Sequence, residues 1–150
     1  MTPSELFIDE GQHVLNPNRR TVTLVVQNIS AMSFDALSAN AIMALNLGTK
    51  KGGFAHDTAE DSISRYHRQH GGDLIWQIGF GYLGCRNEDD TSNAGKFKKN
   101  ALSPQVKIIE IKLFQGVKLG HGVVLLGPKV TPEIAEARSI APISLRYVHV

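Results

Sequence analysis

Three runs of apolar and β-branched residues, TVTLVVQ at 21–27, LIWQIG at 74–79 and VKIIEIKLF at 106–114, constrain the fold of this chain more than any other feature. The first is nearly continuous in apolar content, the pattern of a strand covered on both faces, whereas VKIIEIKLF alternates partially. Polar or glycine-rich loops follow each run, and helix-type segments lie between them. After 21–27 comes the loop SAMSFDAL, and Ser38 is then a plausible N-cap for a helix whose apolar positions Ala39, Ile42, Met43, Leu45 and Leu47 end before Gly48. A short strand is expected around Phe54, followed by a long loop and a short helix. Residues 94–102 read as a helix that Pro104 stops, and residues 115–129 as a loop. Thr131, Pro132 and Glu133 supply an N-cap, a first-turn proline and a first-turn acid for the helix PEIAEARS, after which IAPISLRYVHV is again strand-like. Strands alternating with helices imply an α/β fold with a mostly parallel sheet, whose ligands collect at the strand carboxyl ends.

Composition narrows the function classes. The 16 Lys and Arg against 14 Asp and Glu, interspersed along the chain, form no basic stripe, which speaks against nucleic-acid binding. No run of 18 or more apolar residues offers a membrane span, and MTPSELFIDEGQ carries acids where a signal peptide needs an apolar core. With Cys85 as its single cysteine the chain can form neither an internal disulfide nor, by itself, an iron–sulfur site, and the reducing cytoplasm is the expected compartment. A length of 150 residues suits one domain but falls short of the roughly 200 to 250 residues of a closed eight-stranded α/β barrel.

Candidate chemistry is concentrated in few places. GFG at 79–81 and GHG at 120–122 lack the third glycine of a dinucleotide fingerprint, and there is no phosphate-binding GxxxxGK[ST] loop. His67 and His70 are spaced to share a helix face, with Asp73 nearby as a third metal ligand; loop-anchoring histidines are the competing reading. His56 and Asp57 could form an acid–base pair, and Cys85 beside Arg86 a thiol of lowered pKa, against the commoner readings of loop hydrogen bonding and packing. The strongest signal is KIIEIKLFQGVKLGHG, a strand that delivers Lys112, Gln115 and Lys118 into a glycine-rich loop suited to a carboxylate, a phosphate or an electron-rich flavin edge.

Several segments in order, NISAMSFDALSANAIMALN, KKGGFAHDTAE, SISRYHRQHGGDLIWQIG, GYLGCRN, PQVKIIEIKLFQGVK and GPKVTPEIAEAR, together resemble the FMN-binding catalytic domain of the glutamate synthase family. The resemblance covers about residues 27–138, with residues 1–26 and 139–150 as divergent ends. It implies part of a (β/α)8 TIM barrel with open sheet edges, FMN at the carboxyl ends of the strands, and conversion of 2-iminoglutarate, formed from 2-oxoglutarate and ammonia, into glutamate. It also implies roles for individual residues. Ala31, Met32 and Ser33 correspond to a loop whose backbone meets the flavin, and Thr58, which supports Glu60, counts with the cofactor-binding residues. Glu60 corresponds to an acid near flavin and oxo-acid, Lys112 and Gln115 lie against the flavin, Lys118 lies near the substrate carboxylates, and Arg86 is a further substrate contact. The expected catalytic pair is Glu60 and Lys112.

Three departures accompany the resemblance. Asp35 stands where the family usually has glycine, the T-G-E-G pattern reads Thr58, Ala59, Glu60, Asp61, and the loop after Lys118 reads Leu119, Gly120, His121, Gly122, Val123. The matched region amounts to about half a barrel, without the family's phosphate site or iron–sulfur cysteines. A fragment is therefore expected, one that associates with itself or with a complementing half. The alternative is a catalytically inactive remnant or interaction module without flavin.

Overall fold

The computed structural model describes residues 27–114 and 130–140. Most of the expected strand 21–27, the loop 115–129 with Gln115 and Lys118, and residues 141–150 lie outside the described residues. In chain order the elements are α1 (Ala39–Gly52), β1 (Ala55–Asp57), α2 (Arg65–Arg68), β2 (Asp73–Ile78), α3 (Ala94–Ala101), β3 (Val106–Ile111) and α4 (Pro132–Arg138). The strands form a parallel sheet in the order β1-β2-β3, as expected for an α/β chain whose strands are joined through helices.

Helix α1 begins at the expected N-cap, where the Ser38 side chain accepts from the Ala41 N–H, but it continues through Gly48 to Gly52. Its end is set by Gly53, which adopts the left-handed conformation at φ 68° and donates to the Thr49 carbonyl. Lys50 and Lys51 in the last turn face the negative end of the helix dipole. Its buried residues are Ile42, Asn46 and Thr49, so two of the three are polar, whereas Leu47, expected to be apolar core, is exposed. The polar pair has a structural task. Asn46 Oδ1 accepts from the His70 N–H at 2.9 Å and the Gly72 N–H at 3.4 Å, fixing the turn that launches β2. A Cβ on Gly72 would lie 2.4 Å from the Asn46 carbonyl oxygen, which explains glycine at that close approach.

The register of β2 with β3 pairs Trp76 with Ile109 and Ile78 with Ile111, after an irregularity between Leu74 and Ile75. Alternation along the strands then separates two faces. On one, Leu74, Trp76, Ile78 and Val106 meet Ile63 and Cys85 in the apolar core, with Ala101 of α3 packed against it and the Trp76 and Phe97 rings 5.6 Å apart. On the other, Ile75 and Gln77 lie beside Ile108 and Glu110, and this face turns polar toward the strand ends. Strand β3 ends three residues short of the expected 114, although the Lys112 N–H still donates to the Ile78 carbonyl at 2.9 Å. Among the described residues no strand pairs with the far edge of β3, where Ile111, Leu113 and Phe114 are exposed.

Candidate active site

Four parallel segments end side by side. Ile29 bridges to His56 in parallel, donating its N–H to the Ala55 carbonyl at 2.9 Å and accepting from the Asp57 N–H at 3.0 Å, so residues 28–32 extend the sheet beyond β1. The loop with Ala31, Met32 and Ser33 therefore leaves at the same end as the 58–64 loop after β1, Gly79 after β2 and Lys112 after β3. This is the end at which parallel sheets gather their ligands.

At this end Lys112 Nζ lies 3.0 Å from Glu60 Oε1 although 52 residues separate them. Glu60 lies across the end of β2, where a Cβ on Gly79 would stand 2.4 Å from Glu60 Oε2. The bare backbone of Gly79 is what lets the carboxylate reach the ammonium. Below them, Gln77 Nε2 donates to Glu110 Oε1 at 2.6 Å, and Asp57 Oδ1 accepts from the Ala59 N–H at 2.8 Å. Burial, reinforced by the Glu110 carboxylate and opposed by the Ala59 N–H and Lys112, raises Asp57 to about 6. The face thus combines one ammonium, an amide and three carboxyl groups at graded depth.

Other expected contacts are placed less directly. Thr58 is fully buried; its hydroxyl donates to the Ala59 carbonyl and accepts from the Gln77 N–H, so it braces the loop from within. Met32 is held at both backbone groups, its N–H by the Asp57 carbonyl at 3.0 Å and its carbonyl by His67 Nε2 at 3.2 Å. Ala31 is exposed, whereas Ser33 is buried and donates to Asp35. Arg86 is buried and paired with Asp90 in the loop between β2 and α3. The structure thus brings Glu60 and Lys112 into contact with each other, and engages Arg86 with Asp90 instead.

His67 has a different task from the metal ligation its spacing allowed. Its Nδ1 accepts from the Ser64 N–H and contacts the Ser64 hydroxyl, closing a capping box at the start of α2, while Nε2–H donates to Met32. Both ring nitrogens are in use, His70 is exposed, and the described residues contain no group of three potential metal ligands. His56 packs against it with ring centroids 5.1 Å apart, and among the described residues neither His56 nitrogen has a hydrogen-bond partner. Burial holds both imidazoles neutral, down at about 4. Burial likewise raises the Cys85 thiol, in keeping with a packing role in the core.

These histidines make a testable stability term. Because their folded pKa values lie below the ordinary 6.5, the unfolded chain binds the extra protons, so stability present above about 6.5 is lost as pH falls toward about 4. His56→Phe keeps a ring in place and removes two unpaired nitrogens. It should raise stability by about 1 kcal/mol at neutral pH and by progressively more toward pH 5, read from urea melts at several pH values. A constant difference across that range would contradict a neutral buried His56.

Comparisons with known proteins identify the family. The conserved region in glutamate synthase matches residues 3–145. The chain belongs to the glutamate synthase family. The match extends past both ends of the 27–138 stretch that carried the resemblance. Similar proteins include the glutamate synthase large subunit-like protein YerD of Bacillus subtilis, 39% identical over 133 residues, which are 88% of this chain and 25% of that protein. The archaeal-type glutamate synthase (NADPH) of Thermotoga sp. strain RQ2 is 33% identical over 111 residues, 74% of this chain and 19% of the relative. The archaeal glutamate synthase (NADPH) of Archaeoglobus fulgidus is 32% identical over 126 residues, 84% and 22% respectively. The chain spans a quarter or less of the length of these relatives. No solved structure matches it.

The three glycine departures near the strand ends are not equivalent. Ala59 adopts φ 57°, the left-handed region in which a Cβ costs roughly 1–2 kcal/mol. Asp35 and Asp61 lie outside that region and carry no such strain. Sequence reasoning missed Gln77 and Glu110, although each is the lone polar residue among apolar neighbours near the end of its strand, a pattern that marks a polar position on one sheet face. It also missed Arg138, which is 5% exposed and pairs with both Asp35 and Asp61.

Proposed function

We propose that this chain forms the first strands of an FMN-dependent (β/α)8 glutamate synthase domain, and that Glu60 and Lys112 serve the formation of glutamate from 2-iminoglutarate, itself derived from 2-oxoglutarate and ammonia. The observation that carries this reading is the Glu60–Lys112 pair, formed across Gly79 at the carboxyl end of four neighbouring parallel segments. Family membership, with its relatives named glutamate synthases, supports it independently.

The residues at this end suit a flavin and a dicarboxylate. Gly79 at the end of β2 lets the Glu60 carboxylate lie against bare backbone, Ala31 is exposed on the adjoining loop, and Lys112 supplies a cation for an electron-rich ring edge or a substrate carboxylate. When bound, reduced FMN supplies the hydride that turns an imine carbon into an amine-bearing carbon. Lys112 orients one substrate carboxylate by charge, and Glu60 presents a carboxylate to the protonated imine nitrogen, so the two ends of the ion pair match the two signs of charge on the substrate. Lys118 is the second cation of the proposal, and Gln115 its amide donor on the flavin. Thr58 and the Met32 clamp keep the loops in place without touching substrate.

Titration of the purified chain with FMN, followed in the visible flavin bands, tests the reading. Saturable spectral change in the micromolar range is expected, weakened in Lys112→Ala. Absence of any flavin binding would overturn it in favour of a flavin-free interaction module. Among the described residues no helix is long and apolar enough to cross a membrane.

A further inference from the structure

Two of the glycine departures converge. Arg138 Nη2 of α4 donates to Asp35 Oδ2 at 2.7 Å and also to Asp61 Oδ1, while the Ser33 hydroxyl donates to Asp35 Oδ1. These contacts span 103 and 77 residues of sequence. The Arg138 side chain is 5% exposed and the Asp35 and Asp61 side chains 19% and 14%. Among the described residues Arg138 Nε has no hydrogen-bond partner, and the guanidinium's ion pairs there are with these two carboxyls.

The charge count is decisive here. One guanidinium facing two ionised carboxylates leaves an uncompensated buried negative charge, which is costly, whereas one proton held between the carboxyls makes the cluster neutral. We infer that Asp35, Asp61 and Arg138 form a one-proton lock that ties the loop carrying Ala31–Ser33 to the loop carrying Glu60, and that loses its neutrality when the proton leaves. The polar and charged groups facing Asp61 are Ser33 and Asp35 from the loop before α1 and Arg138 from α4. Burial and the neighbouring Asp35 raise Asp61 to about 7 against the pull of Arg138. Burial also opposes ionisation of Asp35, but hydrogen bonds from Asp61 and Ser33 and the Arg138 charge outweigh it and lower that carboxyl. The proton therefore resides on Asp61. Asp35 and Asp61 thereby become a matched pair: either acid alone neutralises Arg138, and removing both strands it.

The sign of the pH effect follows from linkage. Asp61 is raised on folding, so the stability it contributes is complete below the unfolded value near 3.8 and is lost as pH rises to about 7, above which nothing further changes. Asp61→Asn keeps a neutral partner in place and abolishes this loss. In thermal melts of the full chain, its melting temperature should draw ahead of the native one as pH rises from about 4, by several degrees near pH 7, then hold that lead. Asp35→Asn should give the same loss of pH dependence, because Asp61 then ionises against Arg138. The double variant D35N/D61N should fall by much more than the sum of the two single effects. If that double variant does not fold, the single variants still decide. An Asp61→Asn difference that is flat across this pH range, or single and double effects that add, would overturn the lock.

The consequence for the site rests on the function proposed above and has its own readout. As the lock becomes negative beside the Ser33 loop, native affinity for FMN should fall several-fold more between about pH 6 and about pH 8 than that of Asp61→Asn, in which Asp57 and the FMN phosphate still titrate. Equal pH dependence in both proteins would overturn the link to the site. A native chain that binds no FMN at any pH refutes the functional reading instead, and the lock then stands or falls on the melts.

Discussion

On the function proposed above, Lys112→Ala is expected to lower kcat/KM for FMN-dependent glutamate formation by about 100-fold or more, the scale on which removal of one positioned electrostatic partner usually acts. The side chains of Lys112 and Glu60 are 29% and 16% exposed, so their mutual attraction is only partly screened, and loss of the ammonium removes a positive charge from a face that already holds Asp57 and Glu110. Glu60→Gln should cost activity on its own, and the double variant should be little worse than either single, because the pair acts as one unit. Lys112→Arg keeps the charge but not the compact geometry, and should retain more flavin affinity than turnover. The measurement is steady-state kinetics with a chemical reductant beside flavin titration of each variant. Unchanged kcat/KM in Lys112→Ala would remove this residue from the mechanism, whatever its distance from Glu60.

Trp76→Ala is the substitution expected to damage the fold most. The side chain is fully buried on the helix-covered face of the central strand, in contact with the apolar core and against Phe97. Truncation to alanine opens a large cavity in a sheet of three described strands, at a cost of about 3–5 kcal/mol, a large share of what a domain of this size has. Among the described residues the indole N–H has no hydrogen-bond partner. Trp76→Phe therefore keeps much of the ring, releases an unsatisfied donor, and should cost less than about 1.5 kcal/mol. Denaturant melts of the two variants separate ring volume from polar satisfaction. Equal losses in both would mean that the indole N–H is paired in solution.

The surroundings of Met32 show how the site depends on residues with no chemical part in it. Its carbonyl is held by a neutral His67 that also caps α2, and its N–H by the backbone of β1. The loop proposed to face the flavin is thus fixed from the protein side, which would lower the ordering cost of binding. The spacing of His67 and His70 suggested metal ligation because sequence distance reports which side chains share a helix face. It does not report that one of them is turned inward as a cap.

The sequence by itself determined the strands β2 and β3, the helix starts at Ser38 and Thr131, and the delivery of Glu60 and Lys112 to loops after strands. These features are local: apolar continuity, N-cap side chains and strand–loop order act through neighbouring residues, so their signal is present in short stretches of chain. The end of α1 was less legible, because Gly48 and Gly53 look alike in sequence and only the packing of Asn46 and Thr49 against the turn at 70–72 carries the helix past the first of them. Only the tertiary structure decided that Glu60 and Lys112 meet across Gly79, and that Asp35 and Asp61, which looked like unrelated losses of glycine, share Arg138. The physical reason is distance along the chain. An ion pair between residues 52, 77 or 103 positions apart has no period and no local propensity, and comes into being only when parallel strands bring their carboxyl ends to one side of the sheet and burial makes each charge seek a partner.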